Sequence, residues 1–304
     1  MIDYKLIYEL YNCKGLGRVK INGIVSQSYA ESVRTGKDIN SILQDILLKD
    51  YNISVGKDSE REVMEIERRL EKKIHFIDFT NKLYPKSLNL LENDKPTILA
   101  CIGNLNLLKK SKIGFCGSRK ATNKGHEIAK DISEQVSKRE ITVVSGYASG
   151  IDLETHYTSL HSKGSTIIVL PEGLKNFKIK KVLKDVWDWD KVLVISEYQP
   201  NAIWSVSRAM ERNSTIVALS DIMVLIEARI TGGSIDAGKK ALQLNKALFA
   251  PVYDGMPEEA SGNQYLLGRG ACPLKKSRET DKANLSKMFE IFEHCNQFKK
   301  TLFE

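Results

Sequence analysis

The residue types best suited to chemistry in this sequence are glycine, serine and arginine, which gather in three short loops. The first loop is Gly-Ser-Arg at 117–119, the second is SGYASG at 145–150 and the third is GGS at 232–234. Glycine lets a backbone approach a bound anion closely, and Arg119 can hold a phosphate through two parallel hydrogen bonds. The pattern predicts an anion-binding pocket, with Arg212 as a fourth contributor.

The charge around the first loop agrees with an anion site. From Lys109 to Lys130 the chain carries seven lysines or arginines and one acid, Glu127. The simpler alternative is that the glycines only form tight turns between strands and helices, and for a single loop both interpretations are equally supported. Two such loops after consecutive strands, one with an arginine inside a basic run, favour the anion site.

Other kinds of chemistry find less support. His156 and His161 are five residues apart, which places them on different faces of a helix, and no nearby ligand set completes a metal site. Ser118 and Ser145 follow predicted strands, but the sequence contains neither a GxSxG elbow nor a GxxxxGK[ST] phosphate loop. Asp152 is expected to cap a helix, with hydrogen bonding to a loop or a sugar hydroxyl as the alternative. We predict no metal and no cofactor.

Strands and helices that alternate along the chain must position these loops. Short β-rich runs are predicted as strands at 74–77, 96–104, 113–116, 141–144, 166–170, 192–195, 222–226 and 247–250. Helices are predicted between the later strands at 123–138, 151–161, 175–189, 205–217 and from the third loop to 244. This alternation predicts an α/β fold with a doubly wound, mostly parallel sheet. The loops at one edge of such a sheet converge on a single ligand.

The first 75 residues differ, because their apolar pattern is helical throughout. The segment 15–18 (GLGR) interrupts this pattern, which fits either a helix-hairpin-helix contact to a nucleic-acid backbone or a small packed helical hairpin, and the packed hairpin is favoured. We therefore predict a small helical N-terminal domain. Four parts are expected: helical domain 1–75, connecting segment 76–105, Rossmann-like domain 106–275 and helical tail 276–304.

Composition limits the classes of protein that remain. The chain has 304 residues and a net charge of +8. Residues 1–100 carry 16 basic and 15 acidic groups, whereas the rest carry 30 and 23, so the surplus lies beside the predicted pocket. A basic surplus that includes the run around the first loop favours a polyanionic partner, nucleic acid first, although net charge alone is better explained by a solvated lysine-rich surface. Five cysteines without a CxxC pair and the lack of an apolar export or membrane segment predict a reduced, cytoplasmic protein with no membrane partner.

Several ordered motifs resemble the DNA-processing protein A family, also called DprA or Smf. These are the first loop, 145–152, Ser-Glu-Tyr at 196–198, Arg212-Asn213, and further matches at 219–221, 227–228, 262–263 and 270–271, with Asp78 and Tyr84-Pro85 upstream. The resemblance covers about residues 75–274. It implies an extended Rossmann-like domain that binds single-stranded DNA, forms a homodimer, helps to load a RecA-type recombinase in DNA uptake and recombination, and has no catalytic activity.

The resemblance also implies roles for particular residues. Arg119 and the loops of Gly117 and Gly146 would grip DNA phosphates, with Arg208 and Arg212 at the rim. Tyr147 and Trp204 lie near the loops and offer faces for base stacking, although packing is the commoner role of such side chains. The full predicted set for DNA or phosphate is Gly117, Ser118, Arg119, Lys120, Ser145, Gly146, Ser149, Gly150, Arg208, Arg212, Asn213, Gly232, Gly233 and Ser234.

The chain also departs from the family pattern. Ser214 replaces a second arginine after Arg212-Asn213, Asp236-Ala237-Gly238 follows the third loop, and no winged-helix segment follows residue 275. The rival interpretation is a nucleotide-binding sensor or a nucleotide hydrolase of a related Rossmann-like family. Such hydrolases use a PGGxGTxxE signature, and Lys239 stands here where its glutamate would be. Loss of that acid removes the electrostatic partner of a developing oxocarbenium ion, so hydrolysis is disfavoured.

Overall fold

A computed structural model describes residues 1–56 and 58–301 of the chain. Within these residues one nine-stranded sheet has the order β1-β2-β6-β5-β4-β3-β7-β8-β9. Its strands are β1 (Ile74–Asp78), β2 (Ile98–Gly103), β3 (Lys112–Gly117), β4 (Thr142–Ser145), β5 (Thr166–Leu170), β6 (Val192–Ser196), β7 (Ile222–Ile226), β8 (Ala247–Pro251) and β9 (Cys272–Leu274). Strands β3 to β9 run parallel, and β1 and β2 extend the sheet antiparallel beside β6.

The strand order confirms the predicted doubly wound α/β fold. After β1 and β2, the chain enters the middle of the sheet at β3 and moves outward through β4, β5 and β6. It then returns to the other side of β3 for β7, β8 and β9. The direction of winding therefore reverses between β3 and β7. A crevice opens outside the carboxyl ends of the strands at such a point, and open α/β sheets bind ligands there.

The helices cover both faces of the sheet. They are α1 (Tyr4–Asn12), α2 (Arg18–Thr35), α3 (Ile39–Tyr51), α4 (Asp58–Leu70), α5 (Asn123–Lys138), α6 (Ile151–His161), α7 (Val206–Leu219), α8 (Gly233–Gln243), α9 (Ser261–Leu267) and α10 (Ser286–Thr301). Neighbouring residues of β4 show the two layers: Val143 packs in the cluster of α5 and α10, and Val144 in the cluster of α7 and α8. This alternation is the two-residue period of a strand that is buried on both faces.

The N-terminal helices form their own apolar cluster and dock on the sheet through an arginine. Residues of α1, α2 and α3 pack together and against Ile98 of β2. The 15–18 segment ends at Arg18, whose Nη1 donates to Glu197 Oε2 at 3.0 Å. Arg18 is thereby committed to a contact inside the chain, as expected for a packed hairpin. Strand β2 and most of β1 lie in the predicted connecting segment, but both strands belong to the same sheet as the rest, and the division into domains stays a prediction.

The predicted helix at 175–189 is wrong. Two short 3-10 turns, Leu174–Asn176 and Lys181–Val186, occupy this segment instead. The guanidinium of Arg69 on α4 donates to the carbonyls of Leu174, Lys175 and Phe177 at 2.8–3.2 Å. These carbonyls are satisfied by a distant side chain, so the backbone does not need helical hydrogen bonds. The resulting loop borders the ligand edge of the sheet.

The other helix predictions are largely confirmed. Helices α5 and α6 have the predicted bounds. Within the predicted helical tail 276–304, α10 spans Ser286–Thr301, and residues 302–304 lie outside the described residues. Thr122 caps α5 by accepting a hydrogen bond from the Gly125 amide at 3.1 Å, which explains where that helix begins. In the part of the chain that the structure describes, no helix has the length and apolar character needed to cross a membrane.

Candidate functional site

A large opening lies where the winding of the sheet reverses, and we name it the principal cleft. It has a volume of about 640 Å³ and follows the carboxyl ends of β3 and β7. Nine of the residues predicted from the sequence line it: Gly117, Ser118, Arg119, Lys120, Arg212, Asn213, Gly232, Gly233 and Ser234. The first and third loops therefore converge, as their positions at strand ends predict.

Side chains of the predicted set also hold the two loops together. Ser234 Oγ donates to the carbonyl of Gly117 at 2.8 Å, and Asn213 Nδ2 donates to the carbonyl of Gly233 at 3.1 Å. These two side chains donate to carbonyl groups of the protein itself. The hydrogen bonds fix the positions of the loops, which leaves backbone N–H groups and arginines as the groups for a ligand.

Arg119 is an exposed cation at the mouth of the principal cleft. Its guanidinium carbon lies 5.7 Å from the centroid of the Trp204 ring, within the range of a cation–π contact. No acidic group among the described side chains lies within ion-pair distance of it. Lys120 beside it is exposed as well. The positive charge here is therefore available to an anion.

Arg212 lies at the base of the cleft, so the implied position at the rim is wrong. Only 4% of the residue is exposed, because this side of α7 faces the sheet. Its Nη1 donates to the carbonyl of Val169 at 3.0 Å, while Nε is buried without a hydrogen-bond partner. A buried donor without a partner carries a free-energy penalty of about 1–3 kcal/mol. A ligand atom that accepts from this guanidinium would remove the penalty.

Most residues of the second loop do not line the principal cleft but hold in place the residues that do. A Cβ at Gly146 would lie 1.7 Å from Arg212 Nη1, so glycine is required for Arg212 to fit. Gly150 has φ +81° and its Cα approaches the Ser118 carbonyl so closely that a Cβ would lie 2.4 Å from that oxygen. Ser145 is fully buried, and its hydroxyl lies 2.8 Å from the Phe115 carbonyl. The predicted residues Ser145, Gly146 and Gly150 thus position the first loop and Arg212.

The structure contradicts the expected helix cap by Asp152 and confirms the alternative, in which Asp152 accepts hydrogen bonds from a loop. Gly150 is the N-cap of α6, and no side chain caps this helix. The carboxylate of Asp152 instead accepts from the Ala148 amide at 3.2 Å and lies 3.0 Å from the Ser145 hydroxyl. It therefore ties together the two ends of the second loop.

Arg208 is the one predicted arginine that the structure does not bring to the cleft. Its guanidinium bonds to the carbonyl of Ile203 and lies 5.5 Å from the ring centroid of Tyr198. Arg208 is one helical turn before Arg212, yet its guanidinium contacts Ile203 and Tyr198 and does not enter the principal cleft. Spacing along the helix alone did not reveal this difference.

His156 holds the second loop from inside the protein, a role that sequence reasoning missed. The ring is fully buried, with Nε2 donating to the Gly146 carbonyl and Nδ1 lying 2.6 Å from the Thr166 hydroxyl. Burial lowers the pKa of His156 to about 4. The ring is therefore neutral at pH 7, and it fixes the carbonyl next to which Arg212 packs. No local motif signals this contact, because both partners come from other elements.

Glu227 is a second residue that sequence reasoning did not assign a role in the cleft. It follows β7, has φ +49° and is 2% exposed. Its carboxylate accepts from the amide and hydroxyl of Thr122 at 2.7 and 2.5 Å, and from the hydroxyl of Tyr253. Glu227 thereby anchors the start of α5 beside the first loop.

A second cleft of about 380 Å³ adjoins the principal cleft. The two clefts share Arg119, Ala148, Trp204 and Arg212. The remaining wall of the second cleft includes Ser149 of the predicted set and Tyr147, which the sequence offered for base stacking. It also includes a group of residues that sequence reasoning missed: Pro171, Glu172, Asn176, Phe177, Lys178 and Lys180. Most of them lie in or beside the segment wrongly predicted as helix, which explains why they escaped notice.

Comparisons with known proteins agree with this geometry. A family model described as DNA recombination-mediator protein A matches residues 75–283. The DNA processing protein DprA of Streptococcus pneumoniae is 28% identical over 277 residues, covering 87% of this chain and 93% of the relative. The Bacillus subtilis DprA is 29% identical over 203 residues, covering 66% and 68%.

Solved structures show the same fold. The X-ray structure of the S. pneumoniae DNA processing protein A aligns with a TM-score of 0.71 and 26% identity, covering 90% of this chain and 95% of that one. The Helicobacter pylori DNA processing protein A, for which a single-stranded DNA binding mode is described, aligns with a TM-score of 0.57 and 23% identity. That second alignment covers 75% of this chain and 97% of the H. pylori chain.

Proposed function

The chain belongs to the DNA recombination-mediator protein A family, and from this premise we propose that it binds single-stranded DNA in the principal cleft. The backbone amides of the first and third loops and the guanidinium groups of Arg119 and Arg212 hold the phosphate backbone. Lys120 adds positive charge at the mouth. Ser145, Gly146 and Gly150 position these groups, Asn213 and Ser234 fix the loops, and we assign Arg208 no contact with DNA.

The observation that carries the proposal is the state of the two arginines. Arg119 is exposed with no acidic partner among the described residues, and Arg212 is buried with its Nε unpartnered. Both line one cleft between glycine loops. Arginine on phosphate forms short, charge-assisted hydrogen bonds that are about twice as strong as neutral ones. An anion with several acceptor oxygens satisfies both groups at once.

Apolar side chains along the cleft favour a single strand over a duplex. Trp204, Val206 and Met210 line the principal cleft and are 45–63% exposed. Unpaired bases offer apolar faces that pack on such side chains, whereas a duplex keeps these faces stacked inside the helix. Single-stranded DNA is also the ligand described for the H. pylori relative. We expect the affinity to fall as salt rises, because bound phosphates release counterions.

The acids of the cleft favour binding without catalysis over nucleotide hydrolysis. Asp152 and Glu227 are committed to the hydrogen bonds described above. Asp236 lies 3.7 Å from Lys239, the residue in place of the signature glutamate. None of these carboxylates stands ready as a nucleophile or general base, so we propose no enzymatic activity. Incubation with nucleoside monophosphates and assay for released base tests the hydrolase alternative, which predicts product.

We propose further that the protein acts as a homodimer and helps to load a RecA-type recombinase on the bound strand. The description of the family as a recombination mediator supports this role. Sedimentation equilibrium tests the dimer. Strand-exchange assays with a RecA-type recombinase, with and without the protein, test the loading.

Fluorescence anisotropy with a labelled single-stranded oligonucleotide tests the binding site. We expect Arg119→Ala to weaken binding about ten-fold or more, because a hydrogen bond to a charged group contributes about 1.5–3 kcal/mol. Arg61→Ala removes an equal charge from an exposed site on α4 and should change the affinity less than about two-fold. Equal binding by wild type and Arg119→Ala contradicts the proposed site.

A further inference from the structure

Strand β1 forms an open edge of the sheet, and a groove of about 450 Å³ runs along it. Four consecutive residues of β1, 74–77, line this groove. Successive side chains of a strand point to opposite faces of a sheet, so a groove lined by all four follows the edge and not one face. No other strand or isolated bridge among the described residues lies on the outer side of β1. We name this opening the β1 groove.

We infer that the β1 groove receives an extended, acidic peptide segment of a partner protein, which adds to the sheet as a further strand. The groove shares no lining residue with the principal cleft, and the inference does not depend on DNA binding. An added strand gains affinity from backbone hydrogen bonds to the edge and specificity from pockets that take its alternate side chains. The β1 groove offers both.

Backbone groups of β1 point outward and are available to such a strand. The amide of Ile74 donates to Glu67 Oε1 of α4 at 2.8 Å, so it faces away from β2. The amide and the carbonyl of one residue in an antiparallel strand face the same side, and this side alternates along the strand. The carbonyl of Ile74 and both backbone groups of Phe76 therefore point into the groove.

The far side of β2 gives the same register. Directly after β2, the amide of Asn104 donates to the Val192 carbonyl at 2.9 Å. Even-numbered residues of β2 therefore face β6, and the odd-numbered ones face β1. These odd-numbered residues pair with His75 and Ile77. The hydrogen bonds between β1 and β2 thus use His75 and Ile77, which again leaves Phe76 for a strand on the outer side.

Apolar side chains form a wall of the groove on each face of the sheet. On one face the ring of Tyr4 stacks on that of Phe76, with centroids 3.9 Å apart. On the other face Leu83 and Leu105 pack in the same apolar cluster as Ile77. All five residues line the groove. Successive side chains of an added strand would contact these two walls in turn.

Lysines at the two ends of β1 give the groove a positive rim. Lys72 and Lys73 precede the strand and Lys82 follows it, and all three are exposed and form no ion pair among the described side chains. The exposed Glu71 offsets one of these charges. Asp3, an acid that lines the groove, is already paired with a lysine of α1 at 3.6 Å. An acidic segment therefore complements the rim.

A second copy of this chain is the rival occupant, and the charges disfavour it. A two-fold axis would pair β1 antiparallel with β1 of the other copy. This arrangement brings the lysines before one strand close to Lys82 after the other. Like charges on neighbouring strands are destabilising. The rim therefore favours a partner of opposite charge.

Synthetic peptides that differ in charge or in backbone donors test the inference by fluorescence anisotropy. The probe is a labelled peptide of about eight residues that alternates aspartate and valine. One control replaces aspartate with lysine, and the other carries N-methyl groups on its central residues. We expect N-methylation to weaken binding about twenty-fold, since two hydrogen bonds of about five-fold each are lost. The lysine peptide should bind at least about ten-fold more weakly than the acidic one.

Amide hydrogen exchange, followed by NMR, locates the peptide without any change to the protein. In the free protein the Phe76 amide should exchange at least about ten-fold faster than those of His75 and Ile77, which are bonded to β2. Saturating acidic peptide should slow the exchange of Phe76 by about ten-fold or more.

Charge reversal tests the rim and keeps the backbone of β1 intact. The triple variant Lys72→Glu/Lys73→Glu/Lys82→Glu should bind the acidic peptide at least about ten-fold more weakly than wild type. The matched control reverses three exposed lysines near the opposite edge of the sheet and should bind within about two-fold of wild type. This control is Lys275→Glu/Lys282→Glu/Lys287→Glu.

The outcomes decide each part of the inference. Equal affinity for the methylated and unmethylated peptides contradicts strand addition, and equal affinity for the acidic and lysine peptides contradicts the choice of an acidic partner. No binding of the acidic peptide at about 1 mM, or unchanged exchange of Phe76, overturns the inference as a whole. Displacement of the peptide by a single-stranded oligonucleotide would make nucleic acid the occupant. DNA binding in the principal cleft is tested separately by Arg119→Ala.

Discussion

Neighbouring residues of α7 face two regions that differ in how they satisfy an arginine: Arg18 is mostly buried at the junction with the N-terminal helices, and Arg212 is buried in the principal cleft. Glu211 faces the junction with the N-terminal helices, where Arg18 bonds Glu197 at 3.0 Å, Glu211 at 3.3 Å and the Asp94 carbonyl at 3.3 Å. Arg212 faces the principal cleft, where one carbonyl is its hydrogen-bond partner and Nε has none. The first guanidinium has three acceptors within the chain, whereas the second has a single carbonyl. Burial alone therefore does not mark an arginine as structural.

The junction also explains how the helical N-terminus is joined to the sheet. The side chain of Glu197 is fully buried, and its Oε2 accepts from Arg18 and from Thr215 of α7 at 3.0 Å. Its other oxygen, Oε1, is buried without a hydrogen-bond partner. The carboxylate thus depends on the positive charge of Arg18. In the cleft, by contrast, it is the Nε of Arg212 that lacks a hydrogen-bond partner among the described residues.

The largest effect is expected when the junction loses its cation. Arg18→Ala leaves Glu197 buried without a counter-charge, and removal of one partner from a buried ion pair costs about 3–5 kcal/mol. Urea denaturation followed by circular dichroism measures the free energy of unfolding. A loss below about 1 kcal/mol would show that Arg18 behaves like a surface charge, and the contrast between the regions would disappear.

Acid should weaken the support of the cleft through His156. The folded-state pKa of about 4 lies below the ordinary value of about 6.5, so the unfolded chain binds a proton that the folded chain does not. The stability that this difference provides is present above pH 6.5 and is lost as the pH falls toward 4, by at most about 3 kcal/mol. Urea denaturation at a series of pH values measures it.

The control for this pH effect is His156→Gln, which cannot acquire the buried charge. Its stability should fall less steeply between pH 6.5 and 4 than that of wild type, since one titrating group has been removed. If both proteins lose stability in parallel over this range, burial of neutral His156 is not a source of the acid sensitivity.

Replacement of Arg212 should change stability little and weaken DNA binding, whereas replacement of Arg18 should mainly lower stability. Arg212→Met keeps most of the volume and removes a buried donor without a partner, so the free energy of unfolding should change by less than about 1 kcal/mol. DNA affinity should fall by about 2 kcal/mol, which is more than ten-fold. Denaturation and anisotropy on the same preparation measure both. Lost stability with unchanged affinity would make Arg212 a structural residue like Arg18.

The smallest effect is expected from the outer acid of the junction. The side chain of Glu211 is 46% exposed, whereas that of Glu197 is fully buried. Glu211→Gln should therefore lower stability by less than about 1 kcal/mol, as is typical of exposed ion pairs. Thermal or urea denaturation measures this change. If Glu211→Gln lowers the free energy of unfolding as much as Arg18→Ala does, Glu211 and not Glu197 is the main partner of Arg18.

Much of the fold is predictable from the sequence because its signals are local. The β-branched runs that became β5 and β7 and the apolar period of α5 and α6 place these elements within a residue or two. Loops at strand ends then have to meet at one edge of the sheet, so the joining of Gly117 and Gly232 in one cleft follows from the pattern alone.

The features that escaped prediction depend on partners far away in sequence. Arg69 binds the carbonyls of 174–177 and prevents a helix there, and this loop forms the wall of the second cleft. Arg208 and Arg212 are one turn apart on α7, yet packing sends one to Tyr198 and the other under Gly146. The contact of His156 with Gly146 likewise joins two elements through one side chain. No local pattern encodes such contacts.

The most direct test of the cleft is the salt dependence of DNA affinity. The plot of log affinity against log salt concentration has a negative slope, and its steepness decreases by about 0.7 for each single-strand phosphate contact that is lost. Wild type is compared with the double variant Arg119→Ala/Arg212→Met by anisotropy over a range of salt concentrations. If both arginines bind phosphate, the slope should decrease by about 1.4. An unchanged slope, even with weaker binding, would contradict phosphate contacts by these two residues.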